Sequence, residues 1–409
     1  MQQKKKILLS HSGKQHSYYV ARALNDLGYL RTFYTSSYIG NISAQKLIQK
    51  LDLTFFSRRF LDGLGGNKVH SSWKYEIKEL VYRRLKGNTQ AVSQLVYDRD
   101  VKFDKDLAGK LHRLHFDAFW GFQGSSRECI DKANELGKES ICEMTIAHVP
   151  FAKRLLLEEA KLHPEWAESI DFVSFPAHYE MRLIEEPLLA KKVIAISSFL
   201  KKTLVEEGVT SEKISVIPLG FDANSVSFEK ENESINNRPL RVLYAGRITQ
   251  RKGIKYLLDA IKCFNKKDVE LHIIGNVYGK GQEFEKYKDL YQYTPGISQL
   301  QLYKQYKDYD VLVFPSLLEG FGLVTIEAMG AGLPVITTAN TNASEVLRHG
   351  LNGYLVPIRD SQAIVDAITR IRNMDNPEFQ RMRQLARLTA LQYTWDVHKE
   401  KVLTFLNSI

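Results

Sequence analysis

Short apolar runs alternate with amphipathic stretches along most of the chain. Lys5 to His11 reads as a buried strand, Ser12 to His16 as a turn, and Ser17 to Leu27 as a helix capped by Ser17. Leu30 to Ser36 reads as the second strand. Strand, turn, helix and strand in that order open a doubly wound parallel sheet. No G-x-G-x-x-G follows the first strand, which argues against a nicotinamide enzyme. The rhythm returns with strands at Phe116 to Phe122, Ser140 to Ile146, Val193 to Ser197 and Ile214 to Pro218. Helices fall between them at 126–136, 151–162, 177–189 and 199–207. Residues 223–238 are polar and aperiodic and read as a linker.

A second alternation begins at Leu240. Its strands are Arg241 to Ala245, Glu270 to Ile274, Val311 to Phe314, Val335 to Thr338 and Tyr354 to Pro357. Its helices are 254–264, 299–307, 323–332, 343–349 and 361–373, and 378–408 is helical throughout. The pattern predicts an α/β chain of two Rossmann-like units. These are an N-terminal domain over 1–222, a C-terminal domain over 239–390 and a final helix over 391–409.

Residues 40–112 break the rhythm, with helices expected near 43–62, 71–86 and 88–98. Aromatics and cations interleave there, as in Phe55-Phe56-Ser57-Arg58-Arg59-Phe60, Trp73-Lys74-Tyr75 and Tyr82-Arg83-Arg84. Three readings stay open. The segment is a contact with an anionic membrane surface, a groove for an acceptor, or helices packed on the sheet with solvated basic faces.

Charge sharpens this. The net charge is +10, and residues 1–110 hold 20 Lys and Arg against 9 Asp and Glu, so the remainder is close to neutral. An anionic surface or substrate is expected to face the first quarter. A polyanion-binding module is one alternative, although no nucleic-acid motif is present. No apolar run is long enough to span a membrane, and the apolar stretch after the basic N-terminus is too short for a signal peptide. Cys129, Cys142 and Cys263 lack metal-ligand spacing and are expected to be idle thiols of a reducing compartment. A cytoplasmic location, with the inner face of the membrane as an option, is the expectation.

Two segments carry the candidate chemistry. Phe314-Pro-Ser-Leu-Leu-Glu319-Gly-Phe-Gly-Leu-Val-Thr-Ile-Glu327-Ala-Met-Gly-Ala-Gly332 runs from a strand through a glycine turn into a helix. Gly320, Phe321 and Gly322 can bring backbone N–H groups to an anion at a helix N-terminus, while Glu319 and Glu327 can accept from sugar hydroxyls. Gly246-Arg247-Ile-Thr-Gln-Arg251-Lys252-Gly253 repeats the strand-to-helix turn with cations. Arg offers phosphate a planar fork and Lys a point charge, so a leaving diphosphate is stabilised without a metal.

At these positions the sequence resembles the retaining glycosyltransferases of family 4. It matches E-G-F-G-L-x-x-x-E-A-M-x-x-G-x-P-V through Pro334 and Val335, and G-R-x-x-x-x-K-G at Gly246, Arg247, Lys252 and Gly253. The resemblance is close over most of 190–400, loose over 1–40 and 115–190, and absent from 40–112. It implies the GT-B fold, two Rossmann-like doubly wound domains facing a central cleft, an acceptor domain over 1–222 and a nucleotide-sugar donor domain over 239–390, with the last helix returning to the first domain. It also implies transfer of a sugar from a UDP- or GDP-linked donor to a hydroxyl of a glycan or lipid-linked acceptor, without cofactor or metal. The implied roles are Arg247 and Lys252 on the diphosphate, and Glu319 on the donor sugar. Glu327 would hold the ribose, and the backbone of Phe321, Gly322 and Leu323 would support sugar and phosphate. Gly275 would lie near the base, Gly13 in a glycine loop by the diphosphate, and His148 facing the donor sugar. The family usually has two adjacent glycines where this chain has Ser12-Gly13-Lys14. His11 and His16 flank the same loop, Glu143 and Glu180 are acceptor-side candidates, and 276–298 are placed to choose the donor. A sugar phosphorylase or disaccharide synthase on the same fold is the second enzymatic reading.

Overall fold

The computed structural model describes residues 4–409 apart from 52–55, 57–58, 87–89, 172–173 and 229–234. Two parallel sheets organise the chain. The first has the order β3-β2-β1-β4-β5-β6-β7. Its strands are β1 Ile7–His11, β2 Leu30–Thr35, β3 Val69–Ser71, β4 Ala118–Phe122, β5 Glu139–Met144, β6 Lys192–Ala195 and β7 Ile214–Val216. The second has the order β10-β9-β8-β11-β12-β13. Its strands are β8 Leu240–Ala245, β9 Val269–Ile274, β10 Tyr291–Thr294, β11 Val311–Phe314, β12 Val335–Thr338 and β13 Gly353–Val356. Strands such as β1, β4 and β11 are buried along their whole length, as both faces of a helix-covered parallel sheet require.

The helices of the first unit are α1 Ser17–Asp26, α2 Ile42–Lys50, α3 Ile77–Lys86, α4 Gln90–Ala108, α5 Arg127–Glu135, α6 Val149–Leu162, α7 Ala177–Leu189 and α8 Ser198–Glu206. Those that matter in the second are α9 Ile254–Ile261, α10 Gln299–Gln305, α11 Leu323–Gly330, α12 Ser361–Arg372 and α13 Asn376–Ala390. A last helix, α14 Trp395–Asn407, starts at the Thr394 cap. It packs on the first unit, where Val402, Phe405 and Leu406 join the core around Trp120, and Trp395 stacks on Tyr19 with ring centroids 3.8 Å apart.

The alternation of both units matches the sequence expectation, and five local readings are corrected. β3 and β10 are short edge strands with few apolar residues, so periodicity does not reveal them. Helix α4 continues to Ala108, ten residues beyond the expected end, because Phe103 and Leu107 are buried. His16, not Ser17, occupies the cap position of α1; the Ser17 hydroxyl donates back to the Lys14 carbonyl at 2.5 Å. The region 378–408 is two helices parted by a turn at Leu391–Tyr393. The helix expected near 43–62 ends at Lys50, and much of its remainder, with part of the 223–238 linker, lies outside the described residues.

Buried polar contacts fix the irregular 40–112 region to the sheet. Asp104 of α4 accepts from the N–H groups of Glu128 and Cys129 at 2.8 and 3.1 Å and from Arg182 of α7 at 2.6 Å. Asp100 accepts from the Ser12 hydroxyl at 2.5 Å and the Tyr179 hydroxyl at 2.8 Å. Breaking such a buried pair costs about 3–5 kcal/mol, so α4 is locked against the turn after β1.

Candidate active site

The two turns singled out in the sequence face each other at the strand ends of the second sheet. Gly246 has φ 143° and Gly322 φ 80°, conformations that favour glycine. A Cβ on Gly275 would lie 1.8 Å from the Gly246 carbonyl oxygen, so the loops after β8 and β9 pack backbone on backbone. Gly322 is the N-terminal cap of α11 and supplies no side-chain acceptor, which leaves the first N–H groups of that helix uncapped by any side chain. Phe321 is buried beneath the turn and Leu323 packs on the core.

A chain of alternating charges runs between the turns. The exposed Arg247 guanidinium lies 3.1 Å from Asp171. Asp171 also accepts from Arg251 Nε at 2.6 Å and from the Thr249 hydroxyl at 3.2 Å. Arg251 Nη1 donates to Glu319 Oε1 at 2.8 Å and to the Leu318 carbonyl at 2.7 Å. Lys252 Nζ lies 3.0 Å from the same Glu319 oxygen and 4.8 Å from the centre of the Phe314 ring. Burial pushes the Glu319 carboxyl up, but Lys252 and Arg251 outweigh it and hold the group below the usual range, so Glu319 is ionised. Asp171 is likewise held down against its burial by Arg251 and Arg247.

Glu327 sits apart from that chain, one turn into α11. It accepts from Gln299 at 2.5 Å, Tyr303 at 3.0 Å and Tyr306 at 3.4 Å. Burial raises its carboxyl above the ordinary value, and these three donors only partly offset it. Its donor Gln299 lies between Ile297 and Leu302, which line the same crevice as Arg247.

That crevice has a volume of about 1290 Å³ and is bounded by both units. Gly246, Arg247, Arg251, Gly275 and Asn276 form one wall, and Ile146, Asp171 and residues before α7 form the other. The units are held together around it. The Ser197 hydroxyl donates to the Gly320 carbonyl at 2.7 Å, and a Cβ on Gly320 would meet the Thr145 carbonyl oxygen at 2.0 Å. Buried Glu159 of α6 accepts from Gln250, Tyr256 and Arg359 of the second unit at 2.6, 2.8 and 2.7 Å.

The structure therefore joins Lys252 to Glu319 directly and reaches Arg247 through Arg251 and Asp171. Gly246 and Gly275 line the crevice beside Arg247, Phe321, Gly322 and Leu323 form the turn from Glu319 into α11, and Glu327 lies against Gln299, Tyr303 and Tyr306. The first-unit candidates lie differently. Gly13 is buried, its N–H donating to His11 Nδ1 at 2.6 Å, and it is held by the Ser12–Asp100 contact. His148 is 1% exposed. Its N–H donates to the Thr203 hydroxyl at 3.1 Å, its Nδ1 has no partner, and burial pushes its ring down to about 4. No contact among the described residues links it to Glu319, Arg247 or Lys252. His16 Nε2 pairs with Glu143 Oε1 at 2.5 Å, and Glu143 also accepts from Trp120 at 2.8 Å. Glu180 is in an ion pair with Lys153 at 2.9 Å.

Sequence reasoning missed two members. Arg251 lies within the cation-bearing turn but at a variable position of the motif. Asp171 lies far from it in sequence, and nothing in the local pattern marks it as a partner of Arg247.

Residues 225–389 match the model for the family described as glycosyl transferases group 1. Among curated proteins, the chain is 31% identical over 201 residues to the capsular polysaccharide biosynthesis glycosyltransferase CapM of Staphylococcus aureus, covering 45% of this chain and 53% of that protein. It is 29% identical over 226 residues to a lipopolysaccharide 1,2-N-acetylglucosaminetransferase of Salmonella typhimurium, covering 50% and 59%. The chain thus spans about half the length of the curated relatives it matches. The fold is shared with the crystal structure of Anabaena HepE in complex with UDP-glucose, at a TM-score of 0.61 and 16% identity, over 99% of this chain and all of that one. The two facing parallel-sheet units are the GT-B arrangement.

Proposed function

We propose that the chain is a retaining, metal-independent glycosyltransferase of family 4 type. It moves a sugar from a UDP-linked donor to a hydroxyl of a glycan or lipid-linked acceptor in cell-surface polysaccharide synthesis. The single observation that carries the reading is the chain Arg247–Asp171–Arg251–Glu319–Lys252 beside the uncapped start of α11. The match over 225–389 and the UDP-glucose of the HepE complex support the nucleotide sugar as donor.

In this reading Arg247, exposed apart from its contact with Asp171, is available to a diphosphate, and Lys252 adds a second cation. Glu319, ionised by its neighbours, accepts from donor-sugar hydroxyls. Glu327 exchanges part of its tyrosine and glutamine contacts for ribose hydroxyls. The bond between the anomeric carbon and the diphosphate oxygen breaks, and the acceptor oxygen bonds to that carbon on the same face. The leaving phosphate oxygen takes the acceptor's proton, so charge builds where Arg247, Lys252 and the α11 N–H groups stand. Gly13 and His148 make no contact with Arg247, Lys252 or Glu319 among the described residues. Release of UDP from a panel of UDP- and GDP-sugars is expected with wild type and lost in Lys252→Ala and Glu327→Ala. Undiminished turnover in both variants would remove the assignment.

Contact with an anionic membrane is a separate part of the proposal. Ile42 and Leu47 of α2, Leu51 just after it, and Ile77 and Val81 of α3 are all at least 50% exposed, with Lys46, Lys50 and Lys78 exposed beside them. Apolar residues flanked by lysines suit a lipid interface, each cation contributing about 1 kcal/mol on an anionic surface. Co-sedimentation with vesicles containing anionic lipid is expected to exceed that with neutral vesicles. Equal recovery on the two would count against it.

A further inference from the structure

Beyond Glu168 and Asp171, the first-unit wall of the crevice differs in character from the charged one. Helix α4 and the segment before α7 present Val96, Tyr97, Phe175 and Pro176, interspersed with Ser93, Gln94 and Ser174. The Tyr97 ring lies 4.4 Å from Tyr179 at a tilt of 31° and 5.8 Å from Phe175 at 62°. Tyr179 is buried and tied to Asp100, so the support under Tyr97 is rigid. Tyr97 itself is half-buried, and its hydroxyl has no partner among the described residues. The other wall answers with Tyr278, 38% exposed and 5.8 Å from the Arg247 guanidinium.

An aromatic face set among hydroxyls and an amide fits a pyranose. The C–H face of the sugar packs on the ring, and its rim hydroxyls reach serine and glutamine. An acyl or isoprenoid chain needs a continuous apolar channel, which Ser93, Gln94 and Ser174 interrupt. A phosphate needs cations, and those stand on the opposite wall.

We infer that this wall is an acceptor subsite for a pyranose ring of a glycan, with Tyr97 as its platform. The inference rests on the donor reading given above. It also gives the 40–112 segment a role, because the buried Asp100 and Asp104 anchor α4 so that Tyr97 stands opposite the donor wall.

Saturation-transfer NMR with methyl glycosides of glucose, galactose, mannose and N-acetylglucosamine, each with and without UDP, tests this. Decyl phosphate serves as the lipid probe. At least one pyranoside is expected to receive saturation at its ring C–H protons. Tyr97→Ala should cut that signal at least fivefold and Tyr97→Phe should keep most of it, while the UDP-induced melting shift stays unchanged in both. The inference is overturned if no pyranoside gives a signal with protein that binds UDP, if Tyr97→Ala leaves the signal intact, or if only decyl phosphate responds. Absence of a UDP shift in wild type would instead strike at the donor reading.

Discussion

The Arg251 guanidinium lies 2.6 Å from the Asp171 carboxylate, an ion pair that joins the two units. Both groups are buried, and Arg251 also grips Glu319, so its removal strands two carboxylates. Arg251→Ala is expected to cost about 3–5 kcal/mol in stability. Arg247→Ala is expected to cost no more than about 1 kcal/mol, because that side chain is 54% exposed. Urea unfolding of the two variants separates them. The donor melting shift should nevertheless be lost in Arg247→Ala, which marks Arg247 as a ligand-binding cation and Arg251 as the brace behind it.

Gly320→Ala tests the join between the units. Its methyl group would stand 2.0 Å from the Thr145 carbonyl oxygen, a position it can take only if the loops part. Transfer activity is expected to fall at least tenfold, with each sheet intact by far-ultraviolet circular dichroism. Normal turnover would mean that this contact is not needed for the reaction.

Glu327→Gln should act on the donor more than on the fold. The amide nitrogen would be presented to Gln299 and Tyr303, whose contacts with the carboxylate are 2.5 and 3.0 Å and which act as donors there. Charge-assisted hydrogen bonds of about 1.5–3 kcal/mol correspond to a donor KM raised roughly 10- to 150-fold. Steady-state kinetics at saturating acceptor measures it; a change confined to kcat would contradict the ribose role.

Buried His11 predicts acid sensitivity. Burial, against the pull of Asp100, pushes its ring from 6.5 to about 4. The unfolded chain then binds the proton at this site more readily than the folded one, so the contribution of His11 to stability rises with pH between about 4 and 6.5. The difference is on the order of 3 kcal/mol. His11→Asn, which keeps an acceptor near the Gly13 N–H, should remove the His11 share of the pH dependence of melting in that window, while the share of His148, whose ring is also pushed to about 4, remains. An unchanged slope would show that His11 is not the group responsible.

Much of the candidate site was legible in the sequence, because the local pattern and the candidate chemistry are carried by the same turns. Glu319, Gly322, Glu327, Gly246, Arg247 and Lys252 lie in two strand-to-helix segments, and strand ends of a parallel sheet bring such segments together. What the sequence hid was long-range. Asp171 reaches Arg247 and Arg251 from another unit, and Asp100 and Asp104 turn the aperiodic 40–112 region into a wall of the crevice. β3 and β10 escaped notice because edge strands bury little and carry no long apolar run. His148 follows a strand as expected, yet its ring is enclosed, and sequence position says nothing about which way an enclosed ring faces.

Calorimetric titration of UDP into wild type, Arg247→Ala and Lys252→Ala tests the central claim most directly. Saturable one-site binding to wild type is expected, weakened at least tenfold in each variant while both remain folded. Equal affinity in all three proteins would contradict the claim, because the diphosphate would then be held without the two cations on which the site is built.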